Sequence, residues 1–291
     1  MISDFDYFAP KTVEEALDLL SKYKEEAKIF AGGQSLLVVM RQGLLQTDIL
    51  IDIKGISELE YIKHDPKDGL KIGALTLHRD IEKSPVIKEH FPILSEMENN
   101  LATVQTRNWG TIGGNICHGD PAGDPAPVFT ALDAKVKLAK SGKERVIPME
   151  DFSKDYLEVA LEPGEMLIEI QVPPIAPNTG IAYEKLMVMK GDMGVIGAAV
   201  SMTVKPGDGV CENVRISLSN ADSTPLRVKG AEKVLTGKPI TDALLEEAGE
   251  AAAAEVNPPA DTHGSAEYRK EMVKVFVKRV GKKAFNRAVS R

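Results

Sequence analysis

Two glycine pairs, Gly32-Gly33 and Gly113-Gly114, constrain this chain more than any other feature. The first lies in Ala31-Gly32-Gly33-Gln34-Ser35 and the second in Thr111-Ile112-Gly113-Gly114-Asn115, so each is flanked by hydroxyl or amide side chains. Lacking a Cβ and free to take positive φ, paired glycines let successive N–H groups converge on one point. Such concave nests bind anions, and a helix starting just after them adds a favourable dipole. Ser35, Thr111 and Asn115 add side-chain donors. Two such loops from distant parts of a chain suit the two anionic groups of a pyrophosphate. The plainer reading of either pair alone is a tight turn. Neither loop is Gly-x-Gly-x-x-Gly, and neither is followed by Gly-Lys-Ser/Thr, so Rossmann and Walker modes of phosphate binding are not indicated.

Around these loops the pattern is mixed α and β. Thr12 to Leu20 reads as a capped amphipathic helix, with Thr12 as cap, Glu15 three residues on, and Ala16, Leu19 and Leu20 on one face. Residues 28–31 and 49–53 read as strands with an apolar helical stretch, 36–40, between them, giving β-α-β with a glycine loop at the first strand–helix junction. Residues 70–74 form a strand, 77–81 start a helix, and 92–97 with Leu101-Ala102 form another helical segment. Val128 to Leu132 is helical. Strict alternation over 134–139 and 167–172 marks half-buried strands. The run Pro173-Pro174-Ile175-Ala176-Pro177-Asn178 reads as a domain boundary, because proline denies donors to a sheet. Strands over 181–187, 195–204 and 211–219, then helices over 227–235, 243–256 and 268–288, indicate a small α+β domain beyond it.

The charge balance, 36 basic against 43 acidic residues, gives no attraction to a phosphate backbone, so nucleic acid is excluded as an expected partner. No apolar run reaches the roughly 18 residues that cross a bilayer. The N-terminal Met1-Ile2-Ser3-Asp4-Phe5-Asp6 lacks the features of a secretory signal, which makes the cytoplasm the expected location. The basic tail of Lys274, Lys278, Arg279, Lys282, Lys283, Arg287 and Arg291 is either the solvated face of a terminal helix or a docking surface for another subunit.

Cys117 and Cys211 are far apart, and without Cys-x-x-Cys an iron–sulfur cluster or structural zinc built from this chain alone is not expected. His118, Asp120 and Asp124 follow the second loop, but their spacing fits no regular face and supplies too few metal ligands. Asp124 is better suited to accept hydrogen bonds from ribose or ribityl hydroxyls. No Gly-x-Ser-x-Gly or His-Glu-x-x-His motif is present, and the five histidines are scattered. With no catalytic residue indicated, a bound cofactor is the expected source of chemistry.

The segments Ala31-Gly32-Gly33-Gln34-Ser35-Leu36, Arg107-Asn108-Trp109-Gly110-Thr111-Ile112-Gly113-Gly114-Asn115 and Asp120-Pro121-Ala122-Gly123-Asp124-Pro125 resemble the FAD-binding medium subunit of molybdenum hydroxylases, the family of aerobic carbon monoxide dehydrogenase and xanthine dehydrogenase. The resemblance covers essentially the whole chain. It implies an α+β fold of the vanillyl-alcohol-oxidase (PCMH) type. An FAD-binding domain over residues 1–176 has two α/β subdomains, about 1–54 and 55–176. A C-terminal domain over 177–291 has a three-stranded antiparallel sheet and a helical bundle.

The resemblance also implies site residues. Gly32, Gly33, Gln34 and Ser35, with Thr111, Gly114 and Asn115, hold the pyrophosphate region of FAD, and Ala31, Leu36 and Gly113 are further cofactor-binding positions. Asp124 takes sugar hydroxyls, and Leu101, Ala102 and Leu167 pack near the ring or serve as ordinary core. Lys185, in Tyr183-Glu184-Lys185-Leu186, matches a lysine near the flavin; its alternative is an exposed strand lysine.

Implied partners are a large molybdopterin subunit and a small subunit with [2Fe-2S] clusters, in a heterohexamer, with NAD(P)+, a quinone or oxygen as acceptor. Gln34 stands where the family often has histidine, and Met193 where many members have an aromatic residue, which bears on shielding of the ring and choice of acceptor. The four-cysteine insertion of some relatives is absent. Rival readings are a stand-alone FAD oxidoreductase with its own small organic substrate, and a flavin-free protein that kept the fold.

Overall fold

A computed structural model describes residues 4–290; Met1 to Ser3 of the N-terminal reading and Arg291 of the basic tail lie outside the described residues. The chain opens with β1 (Asp6–Phe8), α1 (Val13–Tyr23), β2 (Ala27–Phe30), α2 (Leu36–Arg41) and β3 (Ile49–Asp52). Helix α1 starts where the side chain of Thr12 accepts the Glu15 N–H at 3.2 Å, while the Glu15 carboxylate accepts the Lys11 N–H at 2.7 Å. Both bonds satisfy N–H groups that a helix start leaves without partners. Its buried face is Ala16, Leu17 and Leu20; Leu19 is only partly covered. The three strands pair in parallel in the order β1-β3-β2, with β3 buried along its whole length. The first glycine pair therefore follows β2 and leads into α2, at a β-α-β crossover.

The second layer is an antiparallel sheet, β4-β5-β10-β6-β7, built from β4 (Ile62–Asp65), β5 (Gly69–Gly73), β6 (Lys135–Lys140), β7 (Lys143–Pro148) and β10 (Met166–Val172). Six short helices lie between β5 and β6: α3 (His78–Lys83), α4 (Pro85–His90), α5 (Pro92–Asn100), α6 (Val104–Arg107), α7 (Ile112–His118) and α8 (Pro125–Ala131). A small ribbon, β8 (Ser153–Asp155) with β9 (Glu158–Val159), precedes β10. Alternation in β10 suggested one wet face, yet the strand is mostly buried. Leu167, Ile170 and Val172 enter the core under the helices, while Met166 and Ile168 enter the core shared with the parallel sheet. A bulge between Leu167 and Glu169 accompanies this switch of faces.

The chain leaves the second sheet at Val172 and enters a third at Thr179. Strands β11 (Thr179–Leu186), β12 (Ile196–Val204) and β13 (Cys211–Ser219) are the three expected antiparallel strands, extended at one edge by two-residue β14 (Leu226–Arg227). Three helices cover this sheet: α9 (Lys229–Leu235), α10 (Asp242–Glu255) and α11 (Ala266–Val289). A separate core joins them through residues such as Val200, Leu245, Ala252, Phe276 and Val280. Ile181, Tyr183 and Ala199 instead belong to the core of the second layer, so the third sheet packs directly on it.

The basic residues of α11 are largely occupied within the chain. Lys274, Lys278 and Lys282 pair with Glu250, Glu246 and Asp242 of α10 at 3.1, 2.7 and 2.8 Å, and Lys283 and Arg287 reach Glu184 and Glu96. Much of this basic tail thus forms an interhelical ladder on the surface of the helix pair. Three local expectations also change. Leu101 and Ala102 lie beyond the end of α5, and Ala102 has a φ of 44°, which no helix accommodates. Arg227 is in β14, so the next helix begins at Lys229. The second glycine pair is not in a loop; it forms the first turn of α7, whose cap is Thr111. Among the described residues, no helix is long and apolar enough to cross a membrane.

Candidate functional site

Strand β2 delivers the first segment. Gly33 has a φ of 69°, and a Cβ there would stand 2.5 Å from the Phe30 ring, so only glycine fits this turn. The Gln34 side chain turns back and donates to the Gly32 carbonyl at 3.0 Å. Among the described residues, the amides of Gly32, Gly33, Gln34 and Ser35 donate no hydrogen bond to the chain. The segment is partly open to solvent, with Gln34 exposed. Leu36 begins α2 and is partly buried. Open amides at a tight turn are suited to an anionic group.

The second segment abuts the first. A Cβ on Gly32 would collide with the Trp109 carbonyl oxygen and stand 2.7 Å from Gly110 Cα and 3.0 Å from Thr111 N. A Cβ on Gly114 would lie 3.8 Å from that of Ala31 and 2.8 Å from Thr111 Oγ1, with no other neighbour within 4 Å. The outer side of Gly114 is therefore open. Gly113 behaves differently from expectation: its amide is not bared but donates to the Ala74 carbonyl at 2.9 Å. The absence of a side chain at Gly113 serves close packing on Ala74, 2.7 Å from where its Cβ would be. The Ile112 amide goes to Thr76 O at 3.0 Å, and the Gly114 amide to the Thr111 hydroxyl at 3.2 Å. Free amides are thus concentrated at 32–35, next to the backbone of 109–111 that abuts Gly32. The Asn115 Oδ1 lies 3.6 Å from a Cβ position on Gly123, in the turn before Asp124.

A buried polar layer lies beneath. Arg107, 5% exposed, donates from Nε to Glu82 at 2.9 Å and from NH1 to the carbonyls of Leu101 and Ala102 at 2.6 and 3.2 Å. This holds the Leu101-Ala102 turn, with its positive φ, in place. Burial raises the Glu82 pKa, but hydrogen bonds from Arg79 and Arg107 outweigh it and leave the group below the usual range. His78 donates its backbone N–H to Gly110 O at 3.0 Å and sets its Nδ1 3.0 Å from both oxygens of Glu98, which is fully buried. Burial pushes the Glu98 carboxyl up, against the pull of His78.

Asp124 opens α8 and is 5% exposed. It accepts the Tyr183 hydroxyl at 2.5 Å and the Lys185 ammonium at 2.7 Å, both from β11. The Lys185 side chain is 3% exposed, which overturns the picture of a solvent-facing strand lysine. Burial raises the Asp124 pKa while Lys185 and Tyr183 oppose it, and burial raises that of Tyr183. Tyr183 was missed in the sequence, although a position two residues before Lys185 on a strand shares its face. Leu167 is 3% exposed and packs in the core with Leu101, Ile112 and Ile116. Asp120 is spent on the Ala122 amide at 2.8 Å, and among the described residues no group of three His, Cys, Asp or Glu side chains is arranged to hold a metal.

The glycine segments abut each other, and His78, whose side chain meets Glu98, is joined to them through its backbone bond to Gly110. Two cavities, of about 440 and 230 Å³, lie away from these segments, one beside Phe8, Pro10 and Leu19 and one beside Ile93, Ile175 and Arg287.

Comparison with known proteins places this arrangement. Residues 3–175 match the family described as the FAD binding domain in molybdopterin dehydrogenase, and residues 181–284 match the CO dehydrogenase flavoprotein C-terminal domain. The chain belongs to the FAD-binding medium subunits of the molybdenum hydroxylases. It is 39% identical over 275 residues to the carbon monoxide dehydrogenase medium chain of Hydrogenophaga pseudoflava, covering 94% of this chain and 95% of that one. It is 35% identical over 284 residues to the corresponding chain of Afipia carboxidovorans, covering 98% of each. The solved carbon monoxide dehydrogenase of Hydrogenophaga pseudoflava superposes with a TM-score of 0.95 over 99% of both chains, at 39% identity. Quinoline 2-oxidoreductase from Pseudomonas putida 86 gives a TM-score of 0.92 at 29% identity, over 99% of both chains. The medium-subunit fold accounts for the parallel sheet, the antiparallel sheet and the third sheet with its helices.

Proposed function

We propose that this medium subunit holds FAD non-covalently with its diphosphate against the free amides of Gly32, Gly33, Gln34 and Ser35, walled by Thr111, Gly114 and Asn115. The observation that carries this reading is the abutment of the two glycine segments around amides that lack partners within the chain. Asp124 and Lys185 form the buried polar flank and fix charge beside the bound cofactor, while Leu101, Ala102 and Leu167 supply its apolar side. FAD supplies the chemistry, because it accepts electrons singly and releases them as a hydride.

The chain's residues orient the cofactor and exclude water from its buried flank. In the assembled enzyme, electrons arrive from [2Fe-2S] clusters of a small partner after hydroxylation at a molybdopterin centre of a large partner, and leave to NAD(P)+, a quinone or oxygen. Relatives are named for carbon monoxide, glyceraldehyde, nicotine and caffeine. Such variety on one frame supports a substrate pocket outside this chain. We assign residues 1–176 to FAD binding and 177–291 to the C-terminal domain, and place the complex in the cytoplasm.

Gly114→Val tests the cradle. Its Cβ would push aside the Thr111 hydroxyl, 2.8 Å away, and its methyl groups would enter the open space beyond. The purified variant is expected to keep the wild-type far-ultraviolet spectrum and lose FAD on gel filtration; a variant that stays fully yellow sinks the assignment. Reduction of the flavin by a small organic substrate, with no partner present, would favour the stand-alone enzyme.

A further inference from the structure

Asn220 joins three elements at once. It follows β13, is 8% exposed and has a φ of 57°. Its backbone N–H donates to Pro121 O at 2.7 Å, in the turn that leads to Asp124. Its Nδ2 donates to Gly194 O at 2.8 Å, at the end of the 187–194 turn between β11 and β12. Its carbonyl accepts from Arg269 NH1 at 3.4 Å. Arg269 is fully buried on α11, and its NH2 is held by Asp261 at 2.6 Å.

The two turns that Asn220 grips reach two residues that the proposed function sets beside the cofactor, Asp124 and Ala102. The 119–124 turn is fastened by the Asp120 carboxylate on the Ala122 amide and ends in Asp124. The 187–194 turn is closed by Asp192 on the Met189 amide at 2.9 Å, and it presses on Ala102. A Cβ on Gly191 would stand 2.6 Å from the Ala102 carbonyl oxygen. The turn also carries Val188, Met189 and Met193, all exposed.

We infer that Asn220 is a positioning residue that ties the Asp124 turn to the 187–194 turn and so fixes Asp124 relative to the Ala102 side of the cofactor site. The residue type follows from the geometry. A positive φ is tolerated by glycine and asparagine and strains most other residues. Glycine would meet the backbone requirement without the donor to Gly194, and aspartate would present an acceptor to that carbonyl instead. Only asparagine meets both demands. The inference rests on the FAD reading for its functional consequence, but the bridge itself stands on geometry.

The test compares wild type, Asn220→Asp and Asn220→Gly as full chains. Hydrogen exchange is read at the Asp192 and Val195 amides, which close the 187–194 turn and its strand, with α10 as the remote control. Both variants are expected to speed exchange at the turn and leave α10 unchanged. FAD release from both is expected to quicken by about tenfold, the scale of one lost buried hydrogen bond. The visible band of the bound flavin is expected to lose fine structure. If backbone conformation were the whole role, N220G would match the wild type, and that result overturns the side-chain bridge. Wild-type exchange at the turn in N220D overturns it equally, and wild-type FAD release in both variants overturns the link to the site. A wild-type chain that takes up no FAD removes the proposed function, and the exchange comparison then decides the bridge alone.

Discussion

Arg107 donates to Glu82 at 2.9 Å from inside the protein, and the same guanidinium takes the carbonyl oxygens of Leu101 and Ala102. Arg107→Leu removes the buried partner of Glu82 and frees two carbonyls. Breaking one side of a buried pair costs about 3–5 kcal/mol. Urea denaturation should show a loss approaching that size, and Glu82→Gln should also destabilise, because it leaves the buried Arg107 guanidinium without its counter-charge. A loss below about 1 kcal/mol for Arg107→Leu, the scale of an exposed pair, would contradict the arrangement.

Gly32→Ala should be far more disruptive than its one methyl group suggests. The atoms it would meet are backbone of 109–111, which cannot swing aside as a side chain can. Overpacking of this kind costs about 1–3 kcal/mol. The expected result is a lowered melting temperature together with loss of FAD, in contrast to Gly114→Val, which should lose FAD with the fold kept. Equal FAD content in Gly32→Ala and wild type would show that the segments separate freely.

Lys185 and Asp124 should be strongly coupled. Lys185→Met leaves a buried carboxylate with the Tyr183 hydroxyl as its remaining donor. Asp124→Asn leaves a buried ammonium without its counter-charge. The double variant should be more stable than the sum of the single losses implies, with a coupling of about 1–3 kcal/mol in a thermodynamic cycle. Strict additivity would mean that the two groups do not interact in solution.

Acid should weaken the second sheet through Glu165. Burial raises its pKa, but the Arg145 fork at 2.7 and 2.6 Å and the Glu162 amide outweigh burial and leave it depressed. A depressed carboxyl contributes stability that is present above its unfolded pKa of about 4.3 and is lost as pH falls through the folded value. The stability gap between wild type and Glu165→Gln should therefore narrow as pH drops below about 4.3. A gap that stays constant from neutral pH into that range would remove Glu165 from the account.

Much of this was legible in the residues. The Thr12 cap, the β-α-β start and the three long strands of the third sheet follow from capping chemistry and apolar period. Strand β1 left little trace because it is three residues long, and β4 and β7 because they are edge strands whose charged residues need not alternate with apolar ones. The glycine pairs announced a close approach, but not that Gly113 would spend its amide on Ala74, since that depends on a long-range docking of α7 against the end of β5. Asp124 and Lys185 were singled out separately. Nothing local says that they meet, because 61 residues separate them. Arg107 was visible as part of a segment, and its task of holding a strained turn became clear only with the fold.

The hydroxyl and ammonium that Tyr183 and Lys185 extend to Asp124 bear on how this chain can be cut. A fragment ending in the proline run would retain the carboxylate, lose both donors and bare the core that Ile181, Tyr183 and Ala199 cover, so the first half should not stand alone unaltered. Anyone seeking a minimal flavin carrier from this scaffold would have to graft replacement donors onto α8, or neutralise position 124, before the shortened polypeptide stays folded.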